Sequence, residues 1–207
     1  MNARLIAPLA LVGVAAALAA VWYLSKPDPS ADQFAQCRAS TVAGGAGALG
    51  GPFELVNAAG ETVTDTDVIT EPSLLYFGYT FCPDVCPLDV QRNVVAVDIL
   101  EEQGLTVTPV FISIDPDRDT PQVVGEYAEN MHDRMIGLTG SPEQVKAASQ
   151  AYRTYYRVQD SNDDYYLVDH STFSYLVLPE HGFLEFFRRE LAPDQVAATV
   201  TCFVENA

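Results

Sequence analysis

Polar and apolar positions divide this chain into segments with different periods. From Leu5 to Leu24 no side chain is charged, and Arg4 and Lys26 flank the run. Twenty such residues span about 30 Å as a helix, the thickness of a bilayer's hydrocarbon core. Trp22 and Tyr23 stand at its outer end, where interfacial aromatics are favoured. The run predicts a transmembrane helix within a membrane anchor over residues 1–26. A cleaved signal peptide competes with it, because Ala17-Leu18-Ala19 is a small-x-small site. The apolar stretch continues past that site, which favours an uncleaved anchor with its amino terminus inside and the remainder exported. Residues 27–51, with Pro-Asp-Pro-Ser early and a glycine-alanine stretch later, have no apolar period and read as a tether. The folded domain is expected over 52–207.

Within the domain, Phe53–Val56 and Thr62–Thr64 around Ala59-Gly60 predict a small hairpin. Leu74–Tyr79 and Pro109–Ile114 are continuous apolar runs, as buried strands are. Between them, Val90, Val94 and Val97 recur at helical spacing up to Gly104. Thr120-Pro121 reads as N-cap and first helical position before Val124, Tyr127, Ala128 and Met131. Ser141 with Gln144 forms a capping-box signature. Phe173–Leu178 and Phe183–Phe187 flank Glu180-His181-Gly182 as a hairpin, and Pro193 opens a last helix carrying Val196, Val200 and Phe203. Alternating strands and helices, then a hairpin and a helix, imply an α/β fold: a central sheet flanked by helices on both faces.

Charge narrows the partners. The chain carries 28 acidic and 11 basic side chains, and residues 27–207 hold every acid but only nine bases, a net −19. Such a surface repels phosphate, so no nucleic-acid partner is expected, and cationic protein faces or metal cations suit it better. Four cysteines are too few for a disulfide-built scaffold.

Two of them carry the chemistry. In Phe81-Cys82-Pro83-Asp84-Val85-Cys86-Pro87, the thiols lie four residues apart directly after the first central strand. Pro87 reads as a first helical residue, with Cys86 as N-cap and Cys82 in the turn before it. The positive helix end stabilises thiolate, and the carboxyl end of a strand is where open α/β sheets place ligands. Three residues separate the cysteines, whereas a thioredoxin-type redox pair has two. The pair can still oxidise, but two soft thiolates also make a pincer for Cu(I), which wants a third ligand such as imidazole. His170, in Leu167-Val168-Asp169-His170-Ser171-Thr172, precedes a strand that topology can bring beside the thiols. His181 falls at a hairpin tip and reads as exposed. His132, between Met131 and Met135, reads as core packing. The Asp115–Asp119 run reads as a strand-to-helix turn with Asp119 and Thr120 capping, and Asp160–Asp164 as a solvated loop.

Gly78-Tyr79-Thr80-Phe81-Cys82-Pro83-Asp84-Val85-Cys86-Pro87, Ile114-Asp115-Pro116-Asp117-Arg118-Asp119-Thr120-Pro121 and Val168-Asp169-His170-Ser171 together resemble the SCO/SenC copper-chaperone family of cytochrome c oxidase assembly. The resemblance spans roughly residues 51–205. It implies a thioredoxin-like fold in which Cys82, Cys86 and His170 bind copper, as Cu(I) or Cu(II), for delivery to the CuA centre of oxidase subunit II. Asp169 then becomes a residue that orients the histidine. Two other readings use the same residues. One is a thiol-disulfide reductase working through a Cys82–Cys86 disulfide, and the other is a redox or copper sensor. The expected place is a membrane-anchored domain on the periplasmic side or in the equivalent intermembrane space. Cys37 and Cys202 lie outside the family motif. In an oxidising compartment they are expected to form a disulfide that pins the tether to the domain.

Overall fold

The computed structural model describes residues 13, 16–18, 21, 22, 32–40, 49–159 and 165–207. Two compact units result, Met1–Gln36 and Cys37–Ala207. In the first, residues 13, 16–18, 21 and 22 are helical. The expected membrane span falls largely outside the described residues, among which no helix is long and apolar enough to cross a membrane.

The second unit is built on a seven-stranded sheet of order β2-β1-β5-β4-β3-β8-β9. Its strands are β1 (Glu54–Asn57), β2 (Thr62–Thr64), β3 (Ser73–Gly78), β4 (Thr108–Ser113), β5 (Ile136–Thr139), β8 (Ser174–Leu178) and β9 (Gly182–Phe187). β3, β4 and β5 run parallel, while β1 joins β5 and β8 joins β3 in antiparallel fashion. The sheet is therefore mixed, and its arrangement is the thioredoxin-like one that the resemblance implies. β3 and β4 are buried at every position, which explains why both lack polar alternation.

Helices α1 (Asp65–Val68), α2 (Val85–Glu102), α3 (Pro121–Met131), α4 (Pro142–Ala151) and α5 (Pro193–Glu205) complete the unit. They cover both faces of the sheet. On one face Tyr76 of β3 meets Asp89 of α2, and Phe111 of β4 stacks on Tyr127 of α3. On the other face Phe77 and Tyr175 pack against Tyr152, the residue after α4. The predicted caps form. Thr120 Oγ accepts the Val123 N–H at 3.3 Å, and Ser141 and Gln144 close a reciprocal box. α2 ends in a Schellman arrangement, with Gly104 at φ 81° and the Leu105 N–H donated to the Leu100 carbonyl at 2.9 Å.

Three differences from expectation have physical causes. α2 starts at Val85, so Asp84 is its N-cap rather than Cys86. Proline tolerates any of the first helical positions, whose N–H groups have no intrahelical acceptor, and Pro87 therefore does not mark the boundary. A separate two-stranded ribbon, β6 (Tyr156–Val158) with β7 (Val168–His170), was not expected, and His170 lies within it. Finally, the tether is held to the domain by the expected disulfide and by further bonds that were not expected. Cys37 is disulfide-linked to Cys202 with Cα atoms 5.6 Å apart. Just beyond it, the Ala39 and Ser40 N–H groups donate to Glu185 on β9 at 3.0 and 3.3 Å. Glu185 is buried, and a buried carboxylate must find such donors.

Candidate metal centre

The site forms where β3 ends. Gly78 closes that strand, and a Cβ built there would lie 2.8 Å from the Tyr76 ring, 3.1 Å from Cys86 Sγ and 3.1 Å from the Phe111 ring. Only glycine lets the strand end approach the thiol this closely. The chain then turns through Thr80, Phe81 and Cys82, whose N–H donates to the Tyr79 carbonyl at 3.2 Å. Cys86, in the first turn of α2, donates its N–H to Cys82 Sγ at 3.3 Å. Cys82 thus serves the helix start as a cap would.

The ribbon supplies the third group. Ser171 N–H donates to the Tyr155 carbonyl at 2.9 Å, and Val168 N–H donates to the Tyr79 hydroxyl at 3.3 Å, which docks β7 beside the thiol turn. His170 Nδ1 lies 2.8 Å from the Ser171 carbonyl. A carbonyl only accepts, so Nδ1 carries the hydrogen and Nε2 presents its lone pair. Nε2 is 3.2 Å from Cys86 Sγ. The rings of Tyr76 and Tyr79 stand edge-on to the imidazole at 6.2 and 5.9 Å. Both sulfurs and the ring nitrogen lie within 4.8 Å of one another.

Electrostatics separates the two thiols. Cys82 falls well below the usual thiol range. The Cys86 thiol hydrogen-bonded to it is the largest cause, burial opposes, and His170 and the Asp84 and Cys86 N–H groups add to the lowering. Cys86 is pushed up, first by Cys82 and then by burial. The opposite shifts belong to two neighbouring sulfurs that compete for one charge, with thiolate character favoured at Cys82. Cys82 and Cys86 are both reduced and buried. Two thiols and an unprotonated imidazole nitrogen are a soft, low-coordinate donor set, suited to Cu(I) or zinc. Bonds of about 2.0–2.3 Å to one ion place trigonal donors about 3.7–4.0 Å apart, so the 3.2 Å edge between Cys86 Sγ and His170 Nε2 would open slightly.

The surrounding residues were less legible. Asp119 does not cap α3. It is buried and accepts from the Thr80 N–H at 3.0 Å, the Thr80 hydroxyl at 2.5 Å and the Ser113 hydroxyl at 2.6 Å, so it fixes the thiol turn from below. Arg118 lies 3.6 Å from the centroid of the Tyr166 ring and 4.9 Å from that of Phe81, and it donates to the Tyr166 carbonyl at 2.9 Å. Asp115 pairs with Arg118 and accepts from the Tyr166 hydroxyl at 2.6 Å. The density of charge and proline between Asp115 and Pro121 was the available signal, but nothing local says that these side chains reach other segments. The Ser171 carbonyl, not Asp169, takes the imidazole's Nδ1. The Asp169 carboxylate takes Gln159 at 2.7 Å and Arg157 at 3.1 Å across the ribbon, and those two bonds hold it below the usual carboxylate range.

The other histidines do not join the site. His181 is exposed at the β8–β9 turn. His132 is half-buried, and its Nδ1 accepts the Arg134 N–H at 3.1 Å. Its Nε2 therefore bears the hydrogen and faces Asp98 at 3.4 Å, which accounts for it without a metal. Residues 160–164 lie outside the described residues.

Fold and site together define a class: a thioredoxin-like domain holding two thiols and an imidazole at the carboxyl end of its central strand. The SCO1/SenC family model matches residues 42–205, and the chain belongs to that family. Protein SenC of Rhodobacter capsulatus is 51% identical over 199 residues, covering 96% of this chain and 87% of that protein. The copper-bound structure of Arabidopsis thaliana ScoI superposes with a TM-score of 0.72 at 42% identity, covering 76% of this chain and 99% of that one. Yeast Sco1 with copper bound gives 0.71 at 35% identity, covering 77% and 90%.

Proposed function

We propose that this protein is a copper-binding metallochaperone that delivers copper to the CuA centre of cytochrome c oxidase subunit II, from an exported domain held by an N-terminal membrane anchor. Copper is the cargo, bound as Cu(I) or Cu(II) by Cys82, Cys86 and His170. The observation that carries this reading is the convergence of His170 Nε2, its lone pair set by the Ser171 carbonyl, on the two sulfurs. Its support from relatives is that plant and yeast Sco proteins have been solved with copper bound. Three donors leave an open position for an incoming ligand of the target. Transfer then proceeds by exchange of one ligand at a time, with no bond of the protein broken.

A second reading has its own observation. Cys82 and Cys86 stand reduced and adjacent, with Cys82 on a cleft shared with His170 and Asp169. That arrangement also serves a reductase of the CuA cysteines, with Cys82 attacking and Cys86 resolving the mixed disulfide. Dithiol exchange has no need of the imidazole. Anaerobic copper titration of the wild type and His170→Ala, beside a disulfide-reduction assay, separates the two. A metallochaperone loses at least about tenfold in copper affinity, about 1.4 kcal/mol, when the third ligand is removed. Unchanged affinity together with vigorous disulfide reduction would replace the carrier by the reductase.

A further inference from the structure

The large hydrophobic side chains that the domain leaves exposed are not scattered. Among the described residues of Cys37–Ala207 they are Phe81, Leu88, Tyr155, Val158, Tyr165 and Leu167. Each belongs to the thiol turn and its helix or to the segment around His170. Phe81 precedes Cys82, and its ring lies 5.8 Å from that of Tyr165. Leu167 lines the cleft that opens onto Cys82 and His170. Val158 sits opposite Val168 in the ribbon, and Tyr155 donates its N–H to Ser171 beside the histidine at 3.0 Å. Leu88 stands one helical turn from Asp84 and Val85, which also line the cleft. Single exposed apolar residues are ordinary, but a ring of them around one cleft marks a contact surface. Leu88 is 61% exposed and Tyr165 70%, so core packing does not account for them.

The charges within the ring that lie outside its ion pairs, Asp84 and Asp117, are both acidic. Asp84 and Asp117 are exposed and Asp169 half-buried, while Arg157 is paired to Asp169 and Arg118 is turned inward onto Tyr166. The metal-holding sulfurs are themselves buried. Ligand exchange therefore requires the partner's donor atoms to enter the cleft, which presses its surface onto this ring.

We propose that the ring is the docking face for a copper-exchanging protein whose own sulfur and imidazole ligands sit in an apolar surface rimmed by lysine and arginine. This rests on the copper-carrier reading above. The negative rim argues against a second copy of this chain, because two such faces repel. Apolar contact supplies the adhesion, and the acidic rim selects and steers the cationic partner.

The test uses the full-length protein loaded with Cu(I) and, as probe, the apo CuA domain of oxidase subunit II under anaerobic conditions. Leu88→Gln combined with Tyr165→Ser is expected to leave Cu(I) affinity within about twofold of wild type in a chelator competition. The same variant should slow second-order copper transfer to the probe at least about tenfold. Asp117→Asn should slow transfer at low salt only, the difference vanishing at high ionic strength. Transfer by the double variant at the wild-type rate overturns the proposal. So does a wild-type dimer in sedimentation that the double variant dissolves, since the occupant is then a second copy. A wild type that binds no Cu(I) fails the carrier reading itself, and the competition shows this before any probe is added.

Discussion

Asp119 gives the sharpest test of how the thiol turn is held. Its buried carboxylate satisfies three donors: the Thr80 N–H, the Thr80 hydroxyl and the Ser113 hydroxyl. Asp119→Ala removes the two oxygens that accept from all three. The two hydroxyls can rotate toward other partners, and Ser113 already accepts the Asp115 N–H at 3.0 Å. The Thr80 N–H cannot rotate, and leaving this half-buried donor unpaired costs up to the figure for a buried one, about 1–3 kcal/mol. With the weaker hydroxyl bonds added, the loss should be about 3–4 kcal/mol in urea unfolding, with Asp119→Asn intermediate because its amide keeps one acceptor. Thr80 lies two residues before Cys82, so Cu(I) affinity should fall with stability. Acid sharpens the comparison. Burial raises the Asp119 pKa above its unfolded value, against hydrogen bonds from Ser113 and Thr80. A carboxyl raised by folding contributes stability below its unfolded pKa and loses it as pH rises through the folded one. Relative to Asp119→Asn, the wild type should therefore gain stability as pH falls through that window. An Asp119→Ala protein within about 1 kcal/mol of wild type, with unchanged Cu(I) affinity, would show that the turn does not depend on this carboxylate.

Two further perturbations follow from the packing. Replacing Cys37 and Cys202 by serine opens a crosslink of sequence separation 165, worth about 5 kcal/mol in the chain-entropy model, and thermal unfolding should show most of that loss. A change below about 1 kcal/mol would mean that the unfolded chain is already compact. Arg118→Lys keeps the charge but loses the planar stack on Tyr166 and Phe81, about 1–2 kcal/mol. The Cu(II)–thiolate absorption band should shift while the far-ultraviolet circular dichroism stays constant, and an unmoved band would confine Arg118 to a surface role.

Residues whose period or local chemistry acts on near neighbours were legible in the chain. The buried runs became β3 and β4, and the Thr120 and Ser141 caps bond within their own turns. Cys82, Cys86 and His170 were legible because their chemistry is rare and two of them share one turn. What escaped depends on distant partners. The ribbon is three residues per strand, too short for alternation to show; it is closed by Tyr155 and Ser171 at its end and docks onto Tyr79. Asp89, Arg92 and Asn93 lie within α2 yet are buried, because Tyr76 and Ser174 from the sheet receive them. No local pattern distinguishes such residues from a solvated helix face.

The escaped residues also explain how the site is assembled. The thiol turn belongs to the seven-stranded sheet and His170 to the separate ribbon, so no backbone ladder joins the two halves. Side chains from the segment after β4 do. Asp119 grips Thr80 on the thiol side, while Arg118 and Asp115 grip Tyr166 on the histidine side. Arg118 also lies across Phe81, which ties both grips together. Neighbouring residues of one loop, together with the Val168 N–H bond to the Tyr79 hydroxyl, therefore hold the imidazole beside the sulfurs. Displacing the ribbon costs these side-chain bonds and the short contacts to Tyr79, but no strand pairing of the main sheet. The carrier proposed above must hold its cargo firmly and still release it, and a donor hung on side chains beside two donors hung on the core meets both demands.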